Sequence, residues 1–579
     1  MKRFTLILAV VLIAWSTASA QTADTVFMNA SVYTMDEANP TAEAVAVRDN
    51  MIVYVGDGSG AEAFIGDGTE VFDLDGKMVL PGFVSGHEHL ISSGFLSQGV
   101  DLVPATSKEQ TLELIQAYAD ANPDKEFILG YGWNADTMGG FPTAADLDAI
   151  VPDRPAFLAD ATIHDSWLNS KAVEMGGITD DTEDPLPGFS YWVRDDQGKI
   201  LGVGIELAWM PAYVASGAWN AEELITASQE RLYRLAAEAG YTAYIHQGLV
   251  TPNVNNADVY HDDYKIALNL LKEKEDSGEL ELRTFIQYFF KDKEAEPATV
   301  VDYAVEIRDG FDTDLIRLTG LKIHPEGVAL TKTAKMLEPF ADDPGNTGAR
   351  GLNKEVVEEA ILLANEAGLD VSIHVEGSQT VRTSIDSILK SKEMGYADAR
   401  NSLQHFAVVH PDDLQRVLDH KIPVNLTPIW ATTWGGGLAQ ISQLLGRVRT
   451  EAFFQQLRSV IGGGTSVSIA ADVPSTTPDF MSTQMQCEAA VTRQHPTEPT
   501  EVFPPMSQAI TLEQCLHAAT MGGAYQARME DKIGSLVEGK YADLVVLERD
   551  LFEVAPEEIS EVEILATMMD GRFTHRDGI

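Results

Sequence analysis

The chain has 579 residues, 45% of them hydrophobic, which is too long for one minimal domain and apolar enough for a sizeable core. Its 88 acidic residues against 41 basic ones give a net charge of −47, which argues against nucleic acid or an anionic membrane surface as partner. Only two cysteines, Cys487 and Cys515, are present, too few for a disulfide framework or a thiolate metal site.

The first twenty residues, MKRFTLILAVVLIAWSTASA, combine a basic start, an apolar run and an Ala-Ser-Ala end. This is the pattern of a secretory signal peptide over residues 1–20, and the apolar run is too short for a membrane anchor. The expected product is periplasmic or extracellular, with no membrane span. From residue 21 to 80 the chain reads as short strands separated by turns, with Asp-Gly pairs at 57–58, 67–68 and 75–76. Residues 530–579 have the same character, so the two ends are expected to form one composite β-sandwich domain.

Between them, residues 81–529 alternate strands and helices. The segments GYTAYIHQG, LRTFIQYFF, LTGLKIHPEG, LDVSIHVEG, NSLQHFAVV, KIPVNLTPI and TSVSIAADVP read as strands. NKEVVEEAILLANEAG and PDDLQRVLDH read as intervening helices. This rhythm predicts an α/β fold, a (β/α)8 TIM-like barrel, entered through Leu80-Pro81-Gly82-Phe83-Val84. A stretch rich in Trp, Pro and Gly, about residues 101–215, interrupts it after the first strand and reads as an insertion over the barrel mouth. Both cysteines lie in helix-like contexts, where buried apolar cysteine is the favoured reading and a single bridge the alternative.

Chemistry-bearing residues recur at the C-terminal ends of predicted strands. His87 and His89, two apart on the first strand, point to one side, and Glu88 between them points away. His374, His405 and Asp472 end later strands, and Lys322 lies within another. In a barrel these ends converge on one face, and imidazole nitrogens with carboxylate oxygens there suit Zn²⁺ or a similar divalent ion. Any one of these histidines alone reads as a hydrogen-bonded core residue; together they favour a metal. Lys322 is open between a snorkelling lysine and a carbamylated one, whose anion bridges two cations.

The pattern Pro-Gly-Phe-Val-x-x-His-x-His, the strand lysine, the two later histidines, the late Asp and the C-terminal IGSLVEGKYADLVVL resemble the amidohydrolase superfamily. GYGWN, PTAADLDAIVPDRPAFL, HDSWLNSKAVEMGGI and TAKMLEPFADDPGNTG resemble its YtcJ-like and N-substituted formamide deformylase-like subfamily, amidohydrolase family 3. The resemblance implies a site of one or two zinc ions held by His87, His89, His374 and His405, with Lys322 as a bridging carbamate and Asp472 as ligand and general base. It implies attack of a metal-activated hydroxide on a non-peptide carbon–nitrogen bond, an amide or formamide. The alternatives are a one-metal deaminase and a binding or regulatory protein that has lost turnover.

Trp133, His164, His246, His324 and Trp430 are candidate contacts to a small-molecule substrate, with Trp434 beside Trp430; a homo-oligomer is left open. The chain departs from the family pattern at Ser85-Gly86, Pro325-Glu326-Gly327, HVEGSQT (residues 374–380), Gln404 and Ala470-Ala471. These departures are read as an altered surrounding of the metal and an altered substrate pocket.

Overall fold

The computed structural model describes residues 22–206, 208–432, 437–499 and 501–579. The leader expected over residues 1–20 and the aromatic candidate Trp434 lie outside the described residues.

Eight parallel strands form the central sheet in chain order: Phe83–Glu88, Tyr241–His246, Arg283–Phe290, Ile316–Ile323, Asp370–Val375, Ser402–His405, Val424–Leu426 and Val467–Ile469. Each is buried along almost its whole length, because helices such as Lys354–Glu366 and Pro411–His420 cover the outer face. The first and last strands meet just beyond their ends, where His87 O accepts from Asp472 N at 3.2 Å and His89 N donates to Val473 O at 3.0 Å. The sheet is a nearly closed α/β barrel, the fold class that the alternating pattern predicts.

Two further sheets flank the barrel's entry. One has four strands in the order Met51–Gly56, Ala44–Arg48, Thr25–Met28 and Glu70–Asp73. The other joins Ser31–Tyr33 and Met78–Pro81 from the first part of the chain to Leu544–Leu547, Ile564–Met569 and Arg572–Arg576 from the last. Phe27, Val45, Val79, Leu544, Val546 and Met568 fill the space between them. Gly82 links this layer to the barrel, and a Cβ there would lie 2.2 Å from Thr242 Oγ1, so only glycine fits the crossing.

A six-stranded sheet from Val100–Asp101 to Ile200–Ile205 stands apart from the barrel sheet around its own core of Ile115, Leu147, Leu158, Trp167 and Val203. Trp133, a candidate substrate contact, belongs to that core: it is buried and its indole N–H donates to Leu158 O at 2.8 Å. Its size and apolarity serve packing there, away from the cavity.

Cys487, on the helix Thr483–Thr492, and Cys515, on Leu512–His517, are bridged rather than free. Buried apolar cysteine, the favoured sequence reading, gives way to the bridge because helix packing brings the two Cα atoms to 5.6 Å. With the two 28 positions apart in the chain, loop entropy sets the bridge's contribution at about 3.6 kcal/mol. Replacing both cysteines with alanine is expected to lower the unfolding free energy by about that amount, and urea titration with and without reductant checks it.

Candidate active site and metal centre

At the C-terminal ends of the barrel strands lies a cavity that opens to solvent. Its floor gathers His87, His89, Lys322, His374, His405 and Asp472 from five different strands. His405 and Asp472 have φ of 66° and 60°, a left-handed backbone that non-glycine residues adopt at a cost. At Asp472 that turn is clamped: the buried Glu88 accepts from Ala471 N at 3.0 Å and from Val473 N at 2.7 Å, the two peptides either side of it. Glu88 thus points away from the histidines, and its role is to hold Asp472 in place.

The imidazoles are oriented from behind. His87 Nδ1 lies 2.9 Å from Gln404 Oε1 and His89 Nδ1 lies 2.8 Å from Gly248 O. Both partners are acceptors, so both Nδ1 atoms carry the proton and each Nε2 presents a lone pair. These Nε2 atoms lie 3.3 and 3.6 Å from Asp472 Oδ1, a buried oxygen with no hydrogen bond among the described residues. Three potential ligand atoms therefore converge, with Lys322 Nζ the donor beside His87 Nε2, and a cation is the group that would join all three. His87, His89 and Asp472 fit a metal ion on this ground, and their ligand atoms lie within 4.8 Å of one another.

His374 donates from Nε2 to Gly327 O at 3.1 Å, which leaves Nδ1 for the site. His405 Nδ1 is unpartnered among the described residues and lies 3.8 Å from Asp472 Oδ2, its ring stacked on Trp430 at 5.1 Å. Lys322 Nζ lies 3.3 Å from His87 Nε2. Burial lowers this lysine to about 7, against the upward pull of the Asp472 carboxylate. Burial raises Asp472 to about 6, with Lys322 and His164 pulling it back, and lowers His89 to about 3. All of these directions favour uncharged forms in a water-poor pocket.

The other candidates divide. His164, His324 and Trp430 line the cavity. His246 is fully buried behind His89, at 6.1 Å between ring centres, and lies outside the cavity lining. Its place as a substrate contact is thereby withdrawn; the inward-facing register of its strand puts it beneath the site.

The family departures also find physical causes. Ser85 Oγ donates to Glu88 Oε1, and a Cβ on Gly86 would lie 2.2 Å from Ser468 Oγ, so this pair serves packing beneath the site rather than the substrate pocket. Glu326 accepts from Glu376 N, Gly377 N and Thr380 Oγ1, which makes the departures on two neighbouring strands partners of each other.

The sequence reading missed Glu206, Lys291 and Glu376. Lys291 and Glu376 follow apolar strand segments just as the recognised residues do, which is the signal that would have found them. Glu206 follows Ile200–Ile205 of the outlying sheet, where no spacing links it to the barrel. It is fully buried, with His164 Nδ1 at 3.0 Å and Lys291 Nζ at 3.2 Å from the same oxygen, Oε2. Burial works to raise its carboxyl, yet His164 and Lys291 outweigh it and hold Glu206 at about 2.

Comparisons with known proteins show what the chain as a whole resembles. Residues 70–575 match the model of the amidohydrolase family. N-substituted formamide deformylase of Arthrobacter pascens is 26% identical over 95% of this chain and 98% of its own. Putative amidohydrolase YtcJ of Bacillus subtilis is 24% identical over 94% of this chain and 98% of its own. The solved structure of an uncharacterized metal-dependent hydrolase from Pyrococcus horikoshii superposes with a TM-score of 0.70 at 23% identity, covering 92% of this chain and 99% of that one.

Proposed function

This chain belongs to the amidohydrolase family, in its YtcJ-like branch, and from that premise we propose that it is an exported, metal-dependent hydrolase of an amide or formamide carbon–nitrogen bond. The observation that carries the reading is the convergence of His87 Nε2, His89 Nε2 and Asp472 Oδ1, with both histidines held from behind through Nδ1. Zinc is the ion that this donor set suits, one or two per chain, with His374, His405 and a carbamylated Lys322 completing the set. A bound ion supplies Lewis acidity, which polarises a carbonyl and acidifies water.

Asp472 then acts as the proton carrier. It accepts the proton of the attacking water at its carboxylate and delivers it to the departing nitrogen, which needs that proton to leave as an amine. Gln404 and Gly248 O keep the two histidines in the tautomer that presents Nε2. The apolar wall, including Leu96, Val254, Phe289 and Trp430, excludes water and receives an apolar substituent of a small-molecule substrate. Export is supported by the leader sequence and by the Cys487–Cys515 bridge, which persists in oxidising compartments. Among the described residues no helix is long and apolar enough to cross a membrane.

The test is hydrolysis of a panel of N-substituted formamides and amides by purified, zinc-loaded protein, with metal per chain measured in parallel. Turnover is expected, and its absence across the panel would leave a binding or regulatory role. His89→Ala is expected to lose metal and turnover while keeping its circular dichroism spectrum. Its side chain is partly solvent-facing and its main-chain bond to Val473 O survives the change.

A further inference from the structure

The same cavity holds a second polar cluster, beside the floor. Glu206 comes from the outlying sheet, Lys291 from the end of the barrel strand Arg283–Phe290, and His164 from the loop between Ala156–Asp160 and Ser166–Leu168. That loop is elaborately held. Ile163, a β-branched residue, has φ of 64°, and Glu206 has φ of 48°. Asp160 accepts from Thr162 N, Thr162 Oγ1 and Asp165 N, and Asp165 accepts from Glu206 N at 3.0 Å. The strained, hydrogen-bonded loop fixes the His164 ring where it lines the cavity.

Charge at the cluster is unevenly matched. Glu206 Oε1 accepts from Thr333 Oγ1 at 3.2 Å, while both nitrogen donors crowd on Oε2. Lys291 is buried, and among the described residues its ammonium makes a hydrogen bond to Glu206 alone. The ammonium also faces the Phe189 ring at 5.7 Å, and Lys291 lines the cavity with donor capacity beyond its bond to Glu206. The His164 ring has Nδ1 engaged by Glu206, so Nε2 is the nitrogen left for the cavity that it lines. His324 links this cluster to the floor, its ring 6.3 Å from His164 and stacked on His374 at 4.0 Å, and Val250, Val254, Phe289 and Val328 add apolar lining to the same cavity.

We propose that Lys291 and His164, tied together by Glu206, form a carboxylate-binding subsite, and that the substrates are amides with an apolar body ending in a carboxylate. The inference rests on the hydrolase reading for the word substrate but not for the subsite. An ammonium with donor capacity to spare in a cavity with apolar lining is the chemistry that captures one anionic group and orients the rest of the molecule toward the floor.

The test is calorimetric binding of 3-phenylpropionate and of its neutral isostere 3-phenylpropanamide to the zinc-loaded protein. The acid is expected to bind about tenfold or more tightly than the amide, the weight of a charge-assisted hydrogen bond. Lys291→Met is expected to bring the ratio near one, His164→Gln to reduce it, and Lys291→Arg to restore most of it. Equal affinity in the unaltered protein overturns the proposal. So does a preference that survives both Lys291→Met and His164→Gln, since the metal would then be holding the acid. Should Lys291→Met fail to fold, the ratio in Lys291→Arg and His164→Gln decides. Binding is read without turnover, so an inactive protein with an intact preference would sink the hydrolase reading and leave the subsite standing.

Discussion

Asp472→Asn is expected to lower kcat by about three orders of magnitude while the protein stays folded. The substitution keeps the side chain's shape and removes two things, the anionic ligand oxygen and the proton-accepting carboxylate. Loss of a positioned acid–base group alone accounts for roughly 10²–10⁴ in rate. The ligand set of His87 Nε2, His89 Nε2 and residue 472 also loses its anionic member, so metal content is expected to fall below that of the unaltered protein. The turn itself should survive, because Glu88 holds the peptides of Ala471 and Val473 and not the Asp472 side chain. Turnover on any amide that the parent protein cleaves, metal per chain and near-ultraviolet circular dichroism check the three parts. A rate within tenfold of the parent would remove Asp472 from the chemistry.

What the sequence revealed follows a physical rule. The barrel was legible because its strands are buried on both faces and stand out as apolar runs, and because helices such as Lys354–Glu366 show a 3.6-residue period. The floor was legible because the topology sends every strand's C-terminal end to one place, so position along a strand stands for position in space. Lys291 obeys that rule and was overlooked only because a lysine after a strand usually faces solvent. Glu206 does not obey it. Its partners His164 and Lys291 are 42 and 85 residues away in the chain, and the loop joining them is shaped by backbone strain that no residue pattern displays. Trp133 failed for the opposite reason: an aromatic in a Gly-rich stretch reads as a ligand wall but packs against Trp167 at 6.4 Å in a local core. The disulfide needed helix packing that a 28-residue separation does not specify.

The largest stability effect is expected at the opposite end of the barrel. Arg283 opens the third barrel strand and is fully buried, with Nε 2.7 Å from Asp543 Oδ2 and one terminal nitrogen 3.1 Å from Asp543 Oδ1. The same nitrogen lies 2.7 Å from Asp570 Oδ1, the other reaches Asp314 O, and the guanidinium sits 4.2 Å over the Tyr541 ring. One planar group thus joins the barrel to the strands Leu544–Leu547, Ile564–Met569 and Arg572–Arg576. Arg283→Met leaves the buried Asp543 carboxylate without its counter-charge, and removal of one partner from such a pair costs about 3–5 kcal/mol. Urea unfolding is expected to show a loss of that size. Arg283→Lys keeps the charge but not the fork, so a smaller loss is expected. Combining Arg283→Met with Asp543→Leu should recover part of the loss, because the fully buried carboxylate is then gone while the part-exposed Asp570 still lacks its partner. A loss below about 1 kcal/mol in Arg283→Met would mean that water reaches the pair and that it contributes as a surface bridge does. Because Arg283 lies at the N-terminal end of its strand and the metal ligands at the C-terminal ends, metal affinity should be unchanged in the folded variant. Stability and chemistry occupy opposite ends of the same strands, and this variant separates them.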